Sequence, residues 1–314
     1  MSEFGAKSTT DDVLEGHDLS GRSYFITGGN SGLGQETARA LASKGAHVIL
    51  AGRDETALEA SREEILGSVG DAQVDTIICD LASIDSVRKC GAQARERFER
   101  IDVLINNAGV MACPFGHTSD GFERQFGTNH IGHFVLTNEL LPLVEKGRDA
   151  RIVNLSSLAH HRSGVDFDDP NFEKREYDKQ VAYGQSKTAN ALHAVALNTR
   201  LSAKGIEAFS VHPGGIMTNL GRHLTEADIA AMMKRLNEMG DGGFEFKTIP
   251  QGAATSAWAA TAPDLAGQGG AYLENCQIAE VSEETQASGV RPYAIDPQLA
   301  ERLWDESERM VAAA

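Results

Sequence analysis

An apolar run over residues 23–27 passes without a spacer into Thr27-Gly28-Gly29-Asn30-Ser31-Gly32-Leu33-Gly34, and from there into a stretch of helical period. A strand that ends in a glycine-rich turn and re-enters as a helix is the opening of a βαβ unit. The pattern then repeats. Apolar runs recur at 47–50, 74–79, 103–106, 151–155 and 206–212, separated by helical stretches at 34–44, 56–66, 84–98, 121–143 and 183–204. The runs are continuously apolar rather than alternating, as strands covered on both faces must be. The spacing predicts an α/β fold: a single-domain Rossmann-type doubly wound parallel sheet of about seven strands, the last at 270–273, with helices on both faces.

No repeat or low-complexity linker divides the 314 residues, so one domain is expected over 20–314. Three segments look added to a minimal version of this fold. Residues 1–19 are polar and are expected to be partly disordered. Residues 158–180 are an acid-rich insertion expected at the surface, and 219–249 carry an amphipathic helix at 226–238, placed where a substrate lid could close.

A formal net charge of -16 repels phosphate backbones and anionic membranes, so neither nucleic acid nor a membrane is expected as a partner. The same charge makes single arginines informative, because an anionic ligand has to be held locally. The four cysteines, Cys79, Cys90, Cys113 and Cys276, show no Cys-x-x-Cys spacing and no His at metal spacing; neither a structural metal nor a disulfide framework is expected. With no apolar run near the ~20 residues of a membrane span and no basic-then-apolar leader, a cytoplasmic protein is expected.

The turn at Gly28, Asn30, Ser31, Gly32, Leu33 and Gly34 lets backbone approach a pyrophosphate while the helix that follows supplies free N–H groups. The second strand ends in Gly52-Arg53, about twenty residues on. An acid here would hold the ribose hydroxyls of NAD; Arg53 suits the 2′-phosphate of NADP(H), or else pairs with Asp54 or Glu55. Asp80, followed by Leu81, can accept from an adenine amino group or cap the helix beginning near Ile84. Asn107, Ala108 and Gly109 end the fourth strand at the sheet's carboxyl edge, where ligands of open α/β sheets bind. Pro213, Gly214, Ile216 and Thr218 form a rigid turn at the same edge after the sixth strand. His212 beside them is read as a satisfied strand-end histidine rather than a base.

Tyr183 and Lys187 are four residues apart and share one helix face. A cation held against a phenol favours the phenolate and brings it toward acid/base work at neutral pH. Ser157 follows the fifth strand and delivers a hydroxyl to the same edge, or caps a turn there. Asn129 sits among apolar Phe126, Ile131 and Phe134 and has to find partners there, as part of a network, as a holder of water, or both. Met232, Met233, Leu236 and Met239 of the lid, with Met217 and Leu220, suggest either an apolar, adaptable pocket or simply the packing face of the lid helix.

Together these residues resemble the short-chain dehydrogenase/reductase family, single-domain type. The resemblance runs from about Leu19 to Thr218, through Thr27 to Gly34, Asp80, Asn106 to Gly109, Asn129, Ser157, Tyr183 with Lys187, and Pro213-Gly214. Asn129-His130-Ile131-Gly132-His133-Phe134 and the long gap between Ser157 and Tyr183 look like its retinol dehydrogenase and WW-domain oxidoreductase branch. With neither an apolar N-terminal anchor nor WW modules expected, a retinoid substrate is not implied. The resemblance implies an NADP(H)-dependent enzyme that interconverts an alcohol and a ketone or aldehyde. In that scheme Tyr183 is the proton donor or acceptor, Ser157 hydrogen-bonds the reacting oxygen, Lys187 holds the nicotinamide ribose, and Asn129 holds water in a proton relay. It also implies a homodimer or homotetramer. The competing reading is a redox-sensing or scaffold protein that binds a dinucleotide without turnover; it would have no use for the four side chains together.

Overall fold

The computed structural model describes residues 2–238, 245–284 and 287–314. Eight strands form one sheet: β1 (Ser23–Thr27), β2 (His47–Gly52), β3 (Gln73–Ile78), β4 (Val103–Asn106), β5 (Arg151–Leu155), β6 (Glu207–His212), β7 (Tyr272–Glu274) and β8 (Gln277–Ile278). Their order is β3-β2-β1-β4-β5-β6-β7-β8, and every pairing is parallel except the last. The chain thus reverses its winding between β1 and β4, the crevice where such sheets bind ligands. The antiparallel β8 is one strand more than the apolar runs indicated; at two residues it is too short to leave a periodic signal.

The helices are α1 (Thr10–Val13), α2 (Gly32–Ala42), α3 (Glu55–Ser68), α4 (Ile84–Arg97), α5 (Arg124–Phe126), α6 (Gly132–Val144), α7 (Lys179–Leu201), α8 (Glu226–Glu238), α9 (Ile249–Thr261) and α10 (Pro297–Ala313). Alternate residues of each strand serve opposite cores. Phe25, Ile49, Leu104 and Ile152 face a core closed by α4, α6, α7 and α10. Tyr24, Ile26, Val48, Leu50 and Val153 face one closed by α2, α3 and α9. Each fully buried Leu, Ile or Phe contributes ~1.5–3 kcal/mol. Side-chain oxygens start the helices that carry the site: Asp54 accepts from Ala57 N–H, Ser83 from Ser86 N–H, and Asp178 from Gln180 and Val181 N–H.

Three expectations need correction. The N-terminal segment is ordered: Thr9 and Asp12 form a capping box on α1, and Val13, Leu14 and Leu19 are buried in the second core. Those few apolar side chains outweigh the polar average of the segment. The insertion at 158–180 is not confined to the surface. His160, Asp169 and Phe172 are buried, and the Arg175 guanidinium lies 3.9 Å from the Phe172 ring centroid. The helix expected at 121–143 begins only at Arg124, and α5 and α6 run on into one another through a π-helical turn, Gly127–Ile131. The lid helix falls at Glu226–Glu238, but Met239 and the side chains of Met232, Met233 and Leu236 lie outside the described residues.

Candidate active site

The carboxyl ends of the central strands open on one cleft of about 1360 Å³. That exceeds the ~300–1000 Å³ typical of a single small-molecule pocket and leaves room for a dinucleotide beside a second ligand. Gly28, Asn30, Ser31, Gly32, Leu33, Gly34, Arg53, Asp80, Leu81, Asn107, Ala108, Gly109, Ser157, Tyr183, Lys187, Pro213, Gly214, Ile216 and Thr218 all line it. Asn129 does not; it is wholly buried behind the wall.

At the turn after β1, Gly28 has φ +66° and a Cβ on Gly34 would stand 2.3 Å from the Gly28 carbonyl oxygen, so backbone alone fits. The Thr27 hydroxyl oxygen accepts from the N–H groups of Asn107 (2.9 Å) and Ala108 (3.0 Å), while Asn107 Nδ2 donates to the Thr27 carbonyl (2.7 Å). These bonds lock the β4 exit to the glycine turn. Thr218, after β6, caps the Leu220 N–H and reaches toward Gly32 from the opposite lip.

Arg53 is exposed at the end of β2 and forms no ion pair with Asp54 or Glu55; the Asp54 carboxylate is occupied capping α3. Asp80 is not the cap of α4, a role taken by Ser83. Its Oδ1 accepts from Ala82 N–H (3.0 Å) within its own turn, and the residue lines the cleft.

Asp178 and the first turn of α7 carry Tyr183 and Lys187 inward, and both side chains are buried. The Tyr183 phenol meets the Ser157 hydroxyl. Lys187 Nζ donates to the Leu155 carbonyl (2.9 Å) and lies 5.7 Å from the Tyr183 ring centroid. The expected lowering of the phenol does not occur within the protein alone. Burial pushes Tyr183 up to about 12, with the Ser157 hydrogen bond opposing, because the ammonium is directed at a carbonyl instead of the phenol oxygen. Burial likewise pulls Lys187 down to about 8.

Asn129 lies in the π-turn, and its side chain is fully employed. Oδ1 accepts from Val110 N–H (2.8 Å), and Nδ2 donates to the Val110 carbonyl and Ser186 Oγ (2.9 Å each). It therefore pins the loop that leaves Gly109. His212 Nδ1 accepts from Leu158 N–H (3.2 Å), as a satisfied strand-end histidine does. The residues carried over from sequence left out Thr27 and His133, although both lie inside motifs already singled out. They also left out Arg124, Arg222 and His223 on the cleft wall, which no local pattern marks.

Comparison with known proteins places this geometry in a family. The family model for short chain dehydrogenases matches residues 22–229. Short-chain dehydrogenase TIC 32 B, chloroplastic, of Brassica napus is 44% identical over 322 aligned positions that cover 99% of this chain and 95% of that protein. Retinol dehydrogenase 13 of Homo sapiens is 40% identical, covering 93% and 85%. A crystal structure of an uncharacterized protein from Mycobacterium Paratuberculosis superposes with a TM-score of 0.72 at 34% identity, covering 98% of both chains. The chain is an oxidoreductase of the short-chain dehydrogenase/reductase family, in its retinol-dehydrogenase-like branch.

Proposed function

We propose that this protein interconverts an alcohol and a ketone or aldehyde with NADP(H), using Tyr183 as the general acid or base. The observation that carries the reading is the convergence of Ser157, Tyr183 and Lys187 on the cleft wall that continues from the glycine turn. The glycine cradle, which a single Cβ would fill, and Arg53, which has no ion pair among the described residues, fit a phosphorylated dinucleotide. Gly28 to Gly34, with the N-terminus of α2, would hold the pyrophosphate. Arg53 would hold the 2′-phosphate, Asp80 and Leu81 the adenine, and Asn107 to Gly109, Lys187 and the 213–218 turn the nicotinamide riboside. Bound NADP(H) supplies or accepts the hydride.

The chain's own residues handle the proton and the oxygen. A phenol near 12 is protonated at neutral pH, so Tyr183 stands ready to donate to a carbonyl oxygen as that oxygen becomes an alcohol. Ser157 donates to the same oxygen where negative charge develops. Lys187 near 8 keeps a cation behind the phenol and gains or loses a proton easily. Asn129 fixes the Val110 backbone that walls this space, and we assign the water-holding role to its backbone neighbourhood rather than to its occupied amide.

Residues 219–249 act as the substrate lid in this reading, tied to α7 by Lys179 Nζ donating to Asp228 Oδ2 (2.5 Å). No helix among the described residues is long and apolar enough to cross a membrane. All four cysteines are buried and free, as suits a reducing compartment such as the cytoplasm. The test is NADPH oxidation over a panel of ketones and aldehydes, with the parent and Tyr183→Phe. The variant should lose ~10²–10⁴-fold in turnover and keep its NADPH affinity. A variant as fast as the parent ends the assignment, and tight NADPH binding with no turnover by the parent favours the binding-only reading.

A further inference from the structure

In a chain with 45 acidic and 29 basic residues, arginines find carboxylates readily. Arg39, Arg95, Arg97 and Arg200 form ion pairs of 2.6–2.8 Å away from the cleft. Besides Arg53, two arginines of the cleft break this pattern. Arg124, the first residue of α5, and Arg222, in the 3-10 turn Asn219–His223, pair with no carboxylate among the described residues. Among the described residues Arg222 donates only to the Asn219 carbonyl (3.1 Å). Both guanidiniums bear on the Cys113 thiol, opposing the rise that burial and the Glu123 carboxylate impose, and both add, with Arg53, to the lowering that burial causes at the His223 imidazole. The lid turn and the wall opposite it thus bring positive charge to one place.

That place is the substrate end of the cleft. Gln125, next to Arg124, donates to the Tyr177 hydroxyl and the Lys179 carbonyl (2.9 Å each) and accepts from Ala112 N–H (2.8 Å). Lys179 opens the helix that carries Tyr183 one turn later. Gly116 allows the Arg124 guanidinium to lie flat on its loop, since a Cβ there would be 2.5 Å from Nη2. Val110, Met111, Leu158 and Leu220 add apolar side chains to the same cleft. Unneutralised guanidiniums close together repel one another, and a planar carboxylate relieves that repulsion with forked hydrogen bonds.

We propose that the substrate is amphipathic: an apolar alcohol or carbonyl compound whose far end is a carboxylate seated between Arg124 and Arg222. The proposal rests on the alcohol/carbonyl reading above and adds the chemical class. The glycine turn and Arg53 already answer the cofactor's phosphates, which leaves this pair of cations to the second ligand.

The test compares the parent with the double variant Arg124→Gln/Arg222→Gln, at saturating NADPH, on a medium-chain oxo-carboxylate and its methyl ester. In the parent the acid should exceed the ester in kcat/KM by about 10-fold or more, a preference that falls to about 1 in the variant. NADPH affinity is measured in parallel. An acid no better than its ester in the parent overturns the proposal. So does a variant that keeps the preference but loses NADPH affinity, since the cations would then serve the cofactor. If neither compound is turned over, the reaction reading fails by itself. Calorimetry of dodecanoate with NADP-loaded protein then decides this one: binding lost in the variant upholds the carboxylate site, and no binding to the parent overturns it.

Discussion

His133 Nε2 lies 2.8 Å from the hydroxyl oxygen of Thr27, joining the π-turn helix to the strand that ends in the glycine turn. The proton positions follow from counting. Thr27 Oγ1 already accepts two N–H groups, so its own proton points to Nε2, and His133 Nδ1–H donates to the Asn129 carbonyl (2.9 Å). A neutral imidazole is required, and burial holds His133 down to about 4. The bridge couples the backbone of Asn129 to the loop at Asn107 and Ala108.

Thr27→Val keeps the shape of the side chain and removes both ends of this bridge. The half-buried Ala108 N–H and one imidazole nitrogen lose their partner, at ~1–3 kcal/mol each for an unsatisfied group, while Asn107 N–H keeps its bond to the Ile105 carbonyl (3.0 Å). Denaturant titration should show a loss of that order, and KM for NADPH should rise, because the β4 exit is no longer fixed. A variant with parental stability and KM would show that the bridge is dispensable.

Acid should unfold this protein early. Burial depresses His130, His160 and His212 to about 3 and His133 to about 4, and holds His193 well below its ordinary value. A group depressed in the folded state stabilises above its unfolded pKa near ~6.5, and that contribution is lost as pH falls toward the folded value. Five such groups make stability fall by roughly 5–7 kcal/mol per pH unit once the unfolded chain takes up protons. Thermal midpoints measured between pH 7 and 4.5 should drop steeply below about 6. A flat profile would contradict the burial of these rings.

Lys187→Met should trade function for stability. Lowering Lys187 from 10.5 to about 8 costs about 3 kcal/mol below pH 8, and the cost disappears as pH rises through 10.5. The Leu155 carbonyl keeps its bond from Asn190 Nδ2 (2.8 Å) after the change. The variant is expected to melt several degrees higher than the parent at pH 7, to lose that advantage at alkaline pH, and to be inactive. Lower stability at pH 7 would mean that the ammonium is not the cost described.

Arg53→Ala should weaken NADPH by ~1.5–3 kcal/mol, the worth of a hydrogen bond to a charged group, and leave NADH nearly untouched. Titration of both cofactors by fluorescence checks this. Equal losses would remove Arg53 from the 2′-phosphate site.

The parallel sheet and its ligand edge were legible along the chain, because apolar runs and glycine spacing act over a few residues and report the local backbone directly. The same holds for the helix face shared by Tyr183 and Lys187, and for the lid helix at Glu226–Glu238. Folding in three dimensions decided what depends on distant partners. It buried Val13, Leu14 and Leu19, turned the Asn129 amide onto Val110, and aimed Lys187 at Leu155 instead of the phenol. It also brought Arg124 and Arg222, 98 positions apart along the sequence, to one cleft. The reason is physical: propensity and periodicity are set by neighbours in the chain, whereas burial, hydrogen-bond partners and charge proximity belong to residues that meet only after the chain has closed on itself.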